Sequence, residues 1–232
     1  MYHDENTSIQ NTISAYMTNT LPLETTITNL TTQPQPETQE PLWKTILSTA
    51  KTCPRRGPTL SQGSDQTHLV NLVEALQAQN QAGRISLEET IRNTINISVT
   101  PVAQADLEAW ENLHAFLAVI TKRRLVGLED LAISALKQAL EVPYYKDKEG
   151  WAAVLEVYVT VAGIWAIIMG EELYERKKGE DDEHKKDQEG AISKKRWEYW
   201  IERLRFVSLW EDLNIGAREV AAEAAAVMHR VV

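Results

Sequence analysis

From Pro41 onward, apolar residues return every three or four positions, the period of a helix with one buried face. Leu42, Trp43, Ile46, Leu47 and Ala50 form the first stripe. It opens on Pro41, suited to a first helical position, and stops at Cys53-Pro54, where proline pushes its predecessor out of the α region. Asp65 can cap a second helix carrying Leu69, Val70, Leu72, Val73 and Leu76. Gly83 is expected to break it, and Ser86 with Glu89 reads as a capping box that opens a short helix to about Asn96. Trp110, Leu113, His114, Leu117 and Ile120 mark a stronger helix from Asp106, closed by Lys122, Arg123 and Arg124, whose charge complements the helix dipole. Leu128–Glu141, the apolar run from Trp151, a helix capped by Ser193 and an Ala-rich helix capped by Asn214 bring the set to about eight. Only Asn96–Thr100 alternates as a strand would, and it is too short to build a sheet. The pattern predicts an all-α, bundle-like single domain over residues 41–232.

Residues 1–40 read as a different polymer. They hold nine threonines before the Gln33-Pro34-Gln35-Pro36 stretch and no lysine or arginine, with apolar positions that follow neither a helical nor a strand period. Such a segment is expected to be a disordered Thr/Gln/Pro-rich acidic tail. It lacks the basic start and apolar stretch of a signal peptide, which points to a cytoplasmic or nuclear protein.

The formal charge of −9 argues against nucleic acid as a partner. That charge is local, however: residues 1–42 carry five acids and no base, and 171–190 carry nine acids against five bases. The helical body is therefore neutral, and a solvated charged loop is expected near 176–190. A single cysteine, Cys53, excludes an internal disulfide framework and a Cys-based zinc site.

Trp151–Gly170 is twenty residues with Glu156 as its one charge, long enough for a membrane span. Three features assign it instead to the centre of a bundle. Glu156, Thr160 and Gly163 line up as a narrow non-apolar seam, the other helices are amphipathic and need something to pack on, and the flanking charges show no one-sided basic bias. A membrane association through 151–170 stays as an alternative.

The order Pro41-Leu42-Trp43, His68–Val73, Trp110–Leu117, Ala162–Trp165, Arg196–Arg203 and an Ala-rich terminal helix ending in Met228 resembles a family of filamentous-fungal proteins classed only as a domain of unknown function. The likeness covers about residues 41–232. It implies a soluble, all-helical fungal protein, some relatives of which accompany secondary-metabolite biosynthesis, and it carries no catalytic residues across. The charged stretch around Gly179–Glu189 departs from it as an insert.

Chemistry is sparse. Asp181-Asp182-Glu183-His184 resembles a metal-binding acidic motif, but lysines flank it, and a solvated loop explains it. Glu111 and His114 share the Glu-x-x-His spacing of di-iron bundles in one copy where two are needed, so no metal site is assigned. Cys53 beside Arg55 and Arg56 lacks an identifiable base. The basic, aromatic Lys194–Arg205 helix reads as an ordinary amphipathic bundle element. There is no phosphate loop, nucleophile elbow or His-Glu-x-x-His motif, and no cofactor is expected. Glu156 and His114 are the candidate acid–base groups, and Trp110, Trp151, Trp165, Trp197 and Trp200 either pack the core or line an apolar ligand pocket. The leading expectation is a non-catalytic helical accessory protein binding an unknown protein partner. The alternative is a small-molecule-binding protein or cofactor-free enzyme taking a small apolar ligand.

Overall fold

The computed structural model describes residues 2–32, 39–55, 65–79, 82–95, 104–143, 150–179 and 192–232, and all its regular elements are helices. In chain order they are α1 (Tyr2–Met17), α2 (Leu23–Thr31), α3 (Gln39–Thr52), α4 (Asp65–Gln79), α5 (Ala82–Thr94), α6 (Gln104–Lys122), α7 (Glu129–Leu140), α8 (Trp151–Gly179), α9 (Lys194–Ser208) and α10 (Ile215–Arg230). Helices α3 to α10 are the eight predicted from periodicity. Ser193 and Asn214 cap as expected, their side chains accepting the Arg196 and Ala217 backbone N–H groups.

Two expectations are corrected. Residues 2–32 are not a structureless tail: Ile9, Ile13 and Tyr16 recur at i, i+4 and i+7 on α1 and are buried, as is Ile27 on α2. The stripe was hidden among threonines. Several of these, including Thr12, Thr26, Thr28 and Thr31, turn their hydroxyls onto the carbonyl four residues back and so fit a helix without competing for its backbone. Tyr16 then reaches across to the His68 carbonyl at 3.2 Å. The second correction is that α5 starts at Ala82, so Gly83 lies in its first turn and Ser86 within it, where the Ser86 carbonyl accepts the Thr90 hydroxyl at 2.7 Å. A glycine costs little in a first turn, where the N–H groups have no intrahelical partner to lose. The charged stretch expected as a loop near 176–190 is still helical to Gly179, where α8 ends, and beyond Gly179 it lies outside the described residues.

Helix α8 is the centre. It packs on α6, α7 and α10, while α9 lies on α10 and α7, and α3 lies on α1, α5 and α6. Among the described residues, Trp151–Glu175 is the one stretch long and apolar enough to cross a membrane, and 61% of its most apolar window is buried inside the fold. The seam along Glu156, Thr160 and Gly163 is where α10 docks. A Cβ on Gly163 would stand 2.4 Å from Val220 Cγ1, and one on Gly170 would stand 3.3 Å from Val227 Cγ1. Equal seven-residue steps on both helices mean that α8 and α10 run parallel, and the alanines Ala217, Ala221, Ala224 and Ala225 allow their close approach.

Helix α9 is held to the end of α7 by a buried-edge ion pair. Arg196 Nε and Nη2 donate to the two Glu141 oxygens at 2.6 and 2.9 Å, and Trp200 Nε1 donates to Glu141 Oε1 at 2.8 Å. Burial works against the Glu141 charge, but the hydrogen bonds from Arg196 and Trp200 outweigh it and hold the carboxyl below its usual range. Glu141→Gln should therefore destabilise the fold by about 1–2 kcal/mol, a figure reduced for partial exposure of the pair. Urea denaturation near neutral pH checks this, and an unchanged midpoint would remove the pair from the forces holding α9.

Candidate functional site

His114 lies on the inward face of α6 and is only 5% exposed. Trp165 of α8 donates its Nε1–H to His114 Nδ1 at 3.0 Å, and the Trp110 ring stands edge-on with centroids 4.6 Å apart. With Nδ1 accepting, the neutral ring carries its hydrogen on Nε2, which has no partner among the described residues. Burial drives the imidazole down to about 3, so it is neutral at any ordinary pH. Glu111, three residues earlier, faces elsewhere and pairs with Arg55, whose Nη2 is 3.1 Å from Glu111 Oε2. Among the described residues, no three His, Cys, Asp or Glu side chains stand where they could hold a metal ion. Asp181–His184 lies outside them.

The five candidate tryptophans occupy three separate places. Trp110 and Trp165 flank His114. Trp197 and Trp200 are fully buried under α9, where Trp197 donates to the Met228 carbonyl at 3.2 Å and packs on Tyr174. Trp151 sits at the start of α8, edge-on to Trp210 with centroids 5.4 Å apart. Cys53 is buried, and its carbonyl accepts Gln66 Nε2 at 3.0 Å.

Glu156 is brought to a different kind of place. Its Oε1 accepts the Asn214 backbone N–H at 2.6 Å, while the Asn214 side chain caps the Ala217 N–H at 2.8 Å, so the carboxylate and the amide together close the N-terminus of α10. Glu156 half-emerges into an open groove of about 960 Å³. The C-terminal end of α3, the start of α6, the first half of α8 and the start of α10 form its walls. Carboxylates from Glu108, Glu111, Glu156, Glu219 and Glu223 face Lys51 and Arg55 across it, with Leu107, Ala109, Ala217 and Val220 supplying apolar wall. His114 and the five tryptophans do not line it.

One corner of the groove is rigid for reasons that sequence reading missed. Asn112 Oδ1 accepts the Arg55 N–H at 2.7 Å, and Asn112 Nδ2 donates to the Lys51 carbonyl at 3.2 Å, tying the open end of α3 to α6. Gln66 reinforces this, donating to the carbonyls of both Cys53 and Asn112. The available signal was two amides placed on otherwise apolar helix faces, Gln66 with Leu69 and Val70, and Asn112 with Ala115 and Phe116.

These features define an all-helical protein built around an apolar central helix, with His114, Trp165, Trp197 and Trp200 buried inside and a polar, carboxylate-rich groove outside. The chain belongs to the family described as Protein of unknown function (DUF3632), which matches residues 43–204, from Trp43 in α3 to Leu204 in α9. No curated protein and no solved structure matches it. The matched span includes three walls of the groove, and α10, which supplies the fourth, follows it.

Proposed function

We propose that this protein is a non-catalytic helical interaction protein that receives a partner in the groove between α3, α6, α8 and α10. One observation carries this reading. The acid–base candidates are engaged in holding the fold, His114 as acceptor for Trp165 and Glu156 as acceptor for Asn214, while Glu108, Glu219 and Glu223 in the groove have no partner among the described residues. A neutral buried imidazole is poorly matched to proton exchange with a substrate near pH 7, and an open groove lacks the exclusion of solvent that strengthens catalytic electrostatics. The setting that goes with this reading is the cytoplasm or nucleus of a filamentous fungus, alongside secondary-metabolite biosynthesis, as the resemblance of the sequence to a filamentous-fungal family implies.

The test is genetic rescue read by metabolite profile. In a deletion strain, the chain carrying Glu156→Gln should restore the wild-type profile, because an amide oxygen still accepts the Asn214 N–H. The chain carrying Ala109→Tyr, which fills the groove, should fail to restore it at equal protein level. Rescue by Ala109→Tyr together with failure of a folded Glu156→Gln chain overturns the proposal in favour of an enzyme using Glu156.

A further inference from the structure

The groove's own chemistry narrows its partner. Arg55 and Glu111 neutralise one another and Glu156 is held by Asn214, which leaves Glu108, Glu219 and Glu223 against Lys51. Among the described residues, Glu108, Glu219 and Glu223 have no ion pair or hydrogen bond of their own.

A second observation is independent of these charges. Thr160 is 5% exposed and lines the groove from α8. Thr45, Thr49, Thr90, Thr94 and Thr121 all turn their hydroxyls onto the carbonyl four residues back. Thr160 makes no such bond: its hydroxyl has no protein partner among the described residues and, unlike the buried atoms left without one, is open to solvent at the groove. A closely packed threonine whose hydroxyl opens onto a groove, and not onto its own helix, offers a donor and an acceptor to a ligand there.

The spacing of the carboxylates decides the kind of ligand. They are too dispersed for three to share one metal ion. A complementary ligand must therefore carry several separated positive charges, each on a stem long enough to reach a wall. Lysine and arginine do this, laying their methylenes on apolar surface such as Leu107, Ala109 and Val220 while the charged head meets a carboxylate. A volume of about 960 Å³ lies at the top of the range for small-molecule sites, roughly 300–1,000 Å³, and has room for a short extended segment. We propose that the groove binds an extended lysine- or arginine-bearing segment of a partner protein, with Thr160 at its floor and Glu108, Glu219 and Glu223 along its rims. This rests on the interaction reading above and names the chemistry of the partner.

The experiment is fluorescence anisotropy at low ionic strength with a labelled octapeptide of alternating lysine and alanine. The full chain should bind it, and Glu219→Lys with Glu223→Lys should weaken binding about tenfold or more. Glu108→Lys, on a separate helix, should act in the same direction, which keeps the test valid where circular dichroism shows that the α10 pair disturbs folding. Thr160→Val, equal in shape, should weaken binding with an unchanged spectrum. Glu175→Lys with Glu202→Lys makes the same change in net charge outside the groove and should leave affinity near wild type. Equal losses from both charge reversals, absence of peptide binding, or tighter binding of spermine than of the peptide would each overturn the proposal. Genetic rescue by the Ala109→Tyr chain is a separate readout, so a groove that binds some other partner is distinguishable from a protein that is not an interaction protein at all.

Discussion

Replacing Gly163 by alanine should destabilise the protein by about 1–2 kcal/mol, lowering its Tm by about 2–8 °C for a chain of this size. Two effects compete. Alanine is the better helix former by about 1 kcal/mol, which alone would stabilise α8. Against this, the added Cβ would stand 2.4 Å from Val220 Cγ1 and 3.3 Å from the Val220 carbonyl oxygen. Valine in a helix has essentially one χ1 rotamer, so its methyl cannot swing aside, and a backbone atom stands close behind it. Helix α10 must move, and the overpacking term wins. Val220→Ala in the same chain should recover at least half of the loss, because it removes the nearer contact. Thermal melts of the two single variants and the double variant check this. A Gly163→Ala chain as stable as wild type would show that the two helices are not in such close contact. The same helix carries Glu219 and Glu223, so the small residue at Gly163 also sets how far one rim of the groove stands from the other.

Acid should destabilise the protein through His114 in a way that asparagine at this position abolishes. Its folded pKa, lowered to about 3 by burial, lies below the ordinary value of 6.5. The unfolded chain therefore takes up the proton first as pH falls. Stability from this site is complete above about pH 6.5 and declines below it by about 1.4 kcal/mol per pH unit until the folded ring titrates in turn. His114→Asn keeps an oxygen near the position of Nδ1 to accept the Trp165 N–H but has nothing to protonate. Between about pH 7 and about pH 4.5, the wild type should lose about 2–3 kcal/mol more than the variant, since carboxylates elsewhere are common to both. Urea unfolding at the two pH values measures that difference. Parallel losses would mean that His114 is solvated rather than buried.

Local signals and their limits are visible element by element. The caps at Ser193 and Asn214 were legible because an N-cap is satisfied by a backbone N–H three residues on, and both bonds form. The Ser86–Glu89 box was misleading, since the same residues are tolerated inside a helix that begins four positions earlier. Helices α1 and α2 look like tail in the sequence because their stripes are short and set among threonines. Their stability comes from α3 and α4, which cover Ile9, Ile13, Tyr16 and Ile27, and no property of residues 1–32 reveals that cover. The seam of Glu156, Thr160 and Gly163 was visible as a departure from an apolar run, but its occupant was not, because Val220 and Asn214 are nearly sixty residues away in sequence.

Sequence alone thus determined the helical class, the eight helices of the body, the central position of α8 and the inward faces of α6 and α9, all of which follow from periodicity and hydrophobic burial within single segments. Tertiary structure decided the rest. It gave His114 to Trp165, 51 residues away, and Glu156 to Asn214, 58 residues away, and it distributed the five tryptophans over three places. It also assembled a groove from four helices, none of which carries the site by itself. The physical reason is that periodicity reports which face of a helix is buried, whereas the partner of that face depends on packing between segments far apart in the chain.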